Sequence, residues 1–169
     1  MTMFVRLVAV AGLLFGTAQA QEADVRPVTE SLSSNDIARI LTQAGLSPTM
    51  LEDATGAPVA TGSAEGIIFV VRAVDCAGQP ARCGQLVLFA NFDLQRPAGE
   101  QDFRIVNGFN DGNKNGRAYV LEGRRQIGVD YVIDLTGGVT SEHIENRLNR
   151  WPDIIGTFQQ QMNDAYTGS

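Results

Sequence analysis

Two apolar runs, Ile67-Ile68-Phe69-Val70-Val71 and Leu86-Val87-Leu88-Phe89, flank the segment Cys76-Ala-Gly-Gln-Pro-Ala-Arg-Cys83. Both runs are β-branched or aromatic and have glycine at a boundary, which makes them strands. The Gly/Pro-containing segment between them turns the chain, so the two strands form an antiparallel hairpin. Neither run alternates with polar residues. Unbroken apolar strands are the pattern of burial on both faces. The reading therefore predicts a cover on each side: helices on one, and a second helix layer or a partner subunit on the other.

Cys76 and Cys83 are the only cysteines. Their place at the two ends of the turn predicts a disulfide that closes the hairpin loop. With six residues between the cysteines, the chain-entropy gain is about 2 kcal/mol, small for a disulfide. A redox-active pair is the alternative. It lacks the Cys-x-x-Cys spacing and any His or Lys beside either thiol.

Upstream, Ser34-Asn35-Asp36 is a helix start, and Ile37, Ile40, Leu41 and Ala44 follow at helical spacing until Gly45. Met50 to Asp53 reads as a strand. The Gly, Ala, Thr and Pro content of Ala54 to Gly66 predicts an irregular edge or a loop.

Downstream of the hairpin, a helix opens after Pro97, with Phe103, Val106, Phe109 and Asn110 on one face. The segment Asp111-Gly-Asn-Lys-Asn-Gly116 ends it. A second hairpin follows, Arg117 to Leu121 and Gln126 to Leu135. Its later strand alternates: Ile127, Val129, Tyr131, Ile133 and Leu135 share one face, Asp130 and Asp134 the other. Gly137-Gly138 breaks that strand and Thr140 caps a last helix. The stripe Ile144, Leu148, Trp151, Ile155, Phe158, Met162 keeps its phase through Pro152, which predicts one bent helix packed on the sheet. A dimer interface is the functional alternative for this stripe.

The order α-β-β-β-α-β-β-α defines an α+β domain with an antiparallel sheet of about five strands and flanking helices. The single domain is expected over residues 33–167, with a loose arm at 21–32. Residues 1–20 show the three parts of a secretory signal peptide: Arg6 without an acid, the apolar stretch Leu7 to Phe15, and Ala18-Gln19-Ala20 at the cleavage point. The apolar stretch falls well short of the ~20 residues that cross a bilayer. Cleavage after Ala20 leaves 149 residues, with 12 basic against 19 acidic. The expected location is periplasmic or secreted, without membrane insertion after cleavage. The acidic balance argues against nucleic acid, whose phosphates demand clustered Lys and Arg.

Catalytic constellations are sparse. His143 is the only histidine, and no motif sets a nucleophile beside it. Asp130 and Asp134 read as a polar strand face before they read as a catalytic carboxylate pair. One motif matches on spacing: Asp111, Asn113, Asn115, Gly116 and Glu122 fit the calcium loop D-x-[DN]-x-[DN]-G-x₅-E. Lys114 and Arg117 offset its two carboxylates. A strand from Arg117 also carries Glu122 about 16 Å along, whereas a bidentate ligand lies about 2.4 Å from the ion. No cofactor is expected.

Three stretches resemble the YbjN family, described as bacterial sensory transduction regulators. Asn107-Gly-Phe109-Asn110, followed by Gly116-Arg117-Ala118-Tyr119, is similar to that family's Asn-x-Trp-Asn element leading into a strand, with Phe109 where Trp is frequent. Asp134-Leu-Thr-Gly-Gly-Val-Thr140 resembles the turn before its last helix. Gly66 to Phe92, with the paired cysteines, resembles the central hairpin of exported members. The resemblance covers roughly residues 32–160. It implies a fold like that of type III secretion chaperones, often dimeric, with no enzyme activity and no cofactor. The expected function is a non-enzymatic periplasmic protein-interaction module, as a homodimer or a binder of another envelope protein. The alternative is a calcium- or small-ligand-binding domain that uses the Asp111 to Glu122 loop.

Overall fold

Each of the two apolar runs becomes one arm of a long hairpin, β4 (Ile67–Ala77) and β5 (Arg82–Asp93). In the computed structural model residues 27–168 are described. The signal peptide read from residues 1–20, and positions 21–26 of the arm, lie outside them. The remaining strands are β1 (Val28–Thr29), β2 (Thr49–Glu52), β3 (Pro58–Ala64), β6 (Arg117–Leu121), β7 (Gln126–Asp134) and β8 (Val139–Thr140). The helices are α1 (Ser34–Gln43), α2 (Glu100–Gly112), α3 (Ser141–Leu148) and α4 (Trp151–Thr167), with a 3₁₀ turn at Glu122–Arg124. Six strands form one antiparallel sheet in the order β2-β3-β4-β5-β7-β6, and β1 pairs with β8. The α+β class and antiparallel sheet follow the sequence expectation.

The sixth strand is β3, in the segment expected to be irregular. Its glycine and small residues are adapted to close packing. At Gly62 a Cβ would meet the Phe69 ring at 2.6 Å and the Leu46 carbonyl at 2.8 Å. Composition alone reads such a strand as a loop.

One face of the sheet carries the core. Phe69, Val71, Leu86, Leu88, Ile127, Val129 and Ile133 on that face are buried in one core with residues of α1, α2, α3 and α4. The aromatic rings interlock there. Phe109 and Phe158 meet edge to face at 5.2 Å, and Phe69 meets Trp151 at 5.8 Å.

The helices start where their caps dictate. Ser33 accepts from the Asp36 amide at 3.2 Å and donates its own amide to the Asp36 carboxylate at 3.1 Å, a closed capping box on α1. In α2 the buried residues are Asp102, Ile105, Val106 and Phe109, whereas Phe103 is exposed. The three-residue steps from Phe103 drift off the buried stripe, because a helix turns in 3.6 residues. The apolar stripe at the C-terminus is core throughout, from Ile144 to Met162. It is nevertheless divided between two helices. Pro152 has no amide to give the Leu148 carbonyl, so α3 ends and α4 restarts at Trp151, with Pro152 in its first turn.

The arm is tied down from Val28 onward. Val28 and Thr29 pair with Thr140 and Val139. Leu32, buried at 3 %, exchanges two backbone hydrogen bonds with Cys83 at 2.9 and 3.0 Å. The loose arm expected at residues 21–32 is thus structured over its last five positions. Cys76 and Cys83 stand directly opposite each other in β4 and β5 and form a disulfide.

Asp102 is the fully buried acid of α2, with 0 % exposure. Arg96 grips it with both Nη atoms at 2.6 and 2.8 Å. The Gly99 amide and the Tyr166 hydroxyl each donate to it at 2.7 Å. These bonds staple the loop before α2 to the end of α4. The Arg96 hydrogen bonds, aided by those of Gly99 and Tyr166, outweigh burial and lower the Asp102 carboxyl to about 2. Because its folded pKa is depressed, this stabilisation is complete above pH 4 and is lost as pH falls toward 2. Asp102→Asn should lower unfolding free energy by about 2 kcal/mol at pH 6. In denaturant melts, the gap between variant and wild type should narrow toward pH 2.

Candidate functional site

The second face of the sheet has no helix over it among the described residues. In β4 the odd-numbered positions Ile67, Phe69, Val71 and Ala73 point into the core, and the even-numbered ones, Ile68, Val70, Arg72 and Val74, point away. Of the two covers expected on this side, a second helix layer or a partner subunit, the described residues supply no helix layer, so within the chain this face stays open. Arg72 was the signal for it: a charge among apolar residues, on the same side as Val70 and Val74.

Cross-strand register assembles this face in rows. Leu51, Val59, Arg72, Val87 and Val132 form one row across β2, β3, β4, β5 and β7. Thr61, Val70, Phe89, Asp130 and Arg117 form the next, ending on β6. Ile68 is 73 % exposed, Leu51 53 % and Val132 39 %. These are large apolar side chains left in water on a single surface.

A trough of about 500 Å³ lies over β4, β5, β7 and β6. Its floor is Val74, Val87, Phe89, Tyr119 and Leu121, and Arg72, Arg117 and Arg124 stand around it. Arg117 donates to Asp130 through Nε at 3.2 Å and also through Nη2. Asp130 is only 7 % exposed beneath it, while most of the Arg117 side chain remains in solvent. Arg72 reaches Asp53 at 3.5 Å. The Tyr119 hydroxyl donates to Asn91 Oδ1 at 2.7 Å. Burial, reinforced by the Asp130 charge, pushes the phenol up to about 12, so it stays a neutral donor. Both side chains close over Gly128, where a Cβ would meet the Ala90 carbonyl and the Tyr119 ring at 2.8 Å each.

The residues singled out in the sequence sit apart from one another. Asp130 is buried under Arg117. Asp134 is exposed and accepts from the Thr136 amide at 2.9 Å and hydroxyl at 2.7 Å, which forms the turn after β7. The two acids do not converge. His143 is exposed in the first turn of α3, with its amide donated to the Thr140 hydroxyl at 3.2 Å. Asp111 lies in the last turn of α2, whereas Glu122 lies beyond β6, so a full strand separates the ends of the calcium-loop spacing. Among the described residues no group of three His, Cys, Asp or Glu is placed to hold a metal. A second hollow, of about 740 Å³, lies between the β4–β5 turn and the start of α1, and polar loop residues line much of it.

The Asn107-Gly-Phe-Asn110 element has a clear structural task. Phe109 is buried in the core, and Asn107 is exposed. Asn110 holds both backbone groups of Ala118: its Oδ1 accepts from the amide at 2.8 Å and its Nδ2 donates to the carbonyl at 3.1 Å. That clamp fixes the start of β6, the strand that carries Arg117, Tyr119 and Leu121 of the trough.

These features agree with a family match. The family model "YbjN: Putative bacterial sensory transduction regulator" covers residues 33–164, and the chain belongs to this family. Its fold is similar to the crystal structure of YbjN from E. coli, described as "a putative transcription regulator". That similarity has a TM-score of 0.56 and 12 % identity over 78 % of this chain and 91 % of the other. No significant relative was found among curated proteins.

Sequence reading missed Arg124, Tyr119 and Asn91 as neighbours, because they come from separate elements and only strand order joins them. Asn110→Ala should remove two hydrogen bonds to β6 and cost about 2 kcal/mol. In native-state hydrogen exchange, the Ala118 amide should lose more protection than amides of β4.

Proposed function

We propose that the chain is an exported, non-enzymatic protein-interaction module that works through the uncovered sheet face. The observation that carries this reading is the one-sided sheet, whose second face exposes Leu51, Ile68 and Val132 and half-buries Val70, Val87 and Phe89. Exposed apolar surface of that kind marks a place where another molecule sits. Export is supported by the charge, apolar stretch and small-residue cleavage pattern of residues 1–20. The periplasm suits the Cys76–Cys83 disulfide. A regulatory role accords with the family's description. A calcium- or small-ligand-binding role for the Asp111 loop has weaker support, since β6 separates its acids.

A photo-crosslinking residue placed at Ile68 or Val132 should yield protein adducts in the cell envelope. The same residue at Glu145, exposed on α3, should yield none. A monomer by light scattering that gives no adduct from either sheet position would sink the reading.

A further inference from the structure

The trough is cationic in a protein that is acidic overall. The chain has 13 basic residues against 19 acidic, yet the trough is bordered by three arginines and one aspartate. The aspartate, Asp130, is already engaged beneath Arg117, and Arg72 meets Asp53, outside the trough, at 3.5 Å. Arg124 makes no ion pair among the described residues. The arginine heads stand around an apolar floor of Val74, Val87, Phe89, Tyr119 and Leu121.

This arrangement also restricts the backbone of whatever binds. Three of the five floor residues, Val74, Val87 and Phe89, lie on β4 and β5, which are paired on both sides within the sheet, and Tyr119 and Leu121 lie on the edge strand β6. The backbone groups of β4 and β5 are taken up in the ladders, and on β6 Asn110 holds both backbone groups of Ala118, so a chain laid across the floor meets little free backbone. A segment laid on this floor must satisfy its own amides and carbonyls, which a helix does. Adjacent strands lie about 4.8 Å apart, so four strands offer a bed about 14 Å wide, enough to hold a helix about 10 Å in diameter. Such a helix would mirror α2 and α4 on the opposite face.

We propose that the trough bounded by Arg72, Arg117 and Arg124 receives an amphipathic helix of a partner protein, with apolar side chains on Phe89 and Val87 and flanking carboxylates at the arginines. This rests on the interaction reading above and narrows it to one chemistry of partner. Charge complementarity selects against a second copy docked trough to trough, which would set arginines against arginines. A small anion is disfavoured by the shape, since ligand pockets enclose most of their ligand and no element among the described residues roofs this trough.

The test uses two fluorescent 18-residue helical peptides with one leucine stripe, flanked in one by glutamates and in the other by lysines. Fluorescence anisotropy with the purified protein should show the glutamate peptide binding at least tenfold tighter. Its affinity should fall as salt rises. Arg124→Glu and Arg72→Glu, both solvent-side changes, should each weaken it at least threefold, and Phe103→Ser on α2 should leave it unchanged. Equal affinity for the two peptides, or binding that survives both reversals, would overturn the proposal. Displacement of the peptide by dodecanoate at concentrations below its micelle point would favour a small amphiphile and also overturn it. Crosslinks from Val132 or Ile68 to a second copy or to a basic partner would leave the interaction reading standing while removing this one.

Discussion

The pairing of β4 with β5 sets the terms for the rest of the molecule. Val70 lies opposite Phe89, Arg72 opposite Val87 and Cys76 opposite Cys83. Strand side chains alternate with a period of two, so a slip by one residue would turn Phe69 and Leu88 out of the core and drive Arg72 into it. The Cys76–Cys83 bridge holds the register at the turn end. The Leu32 hydrogen bonds to Cys83 hold it again from the side. The helices can then pack on one face because its apolar residues are all presented together.

That same register makes the other face. Once Phe69, Val71, Leu86 and Leu88 are committed to the core, Val70, Val87 and Phe89 must point away from it. Their neighbours in the rows are arginines and Asp130. The open face is thus a direct product of the core, with a composition that water alone does not favour. The Asn110 clamp and the close approach at Gly128 extend it to β6, where Tyr119 and Arg117 complete the trough.

Much of this was legible in the sequence. The hairpins, the helix start at Ser34-Asn35-Asp36, the alternating strand from Ile127 to Leu135 and the C-terminal stripe all follow from local patterns. Three features were not. The strand β3 is written in small residues that fit beside Phe69, a tertiary reason that composition conceals. The break between α3 and α4 depends on Pro152 landing in the first turn of a new helix, which the continuous apolar phase disguises. The open face was hidden by the apolar character of both sides of β4 and β5, with Arg72 as the one discordant letter. The trough was the least legible part, since Arg72, Tyr119 and Arg124 become neighbours only through the strand order β4-β5-β7-β6.

The arm that precedes α1 has a consequence for how the chain assembles. Val28 and Thr29 find their partners at Thr140 and Val139, more than a hundred residues away in the chain. Hairpins such as β4–β5 close short loops and form early, whereas contacts between distant segments must wait. The beginning of this domain is made first, yet its strand partner lies near the other end of the domain. Until the turn before α3 has been synthesised and placed, β1 has nothing to pair with, and the Leu32 side chain depends on the finished hairpin for its burial. The arm thus acts as a closing seam, and its docking reports that the two ends of the domain have met.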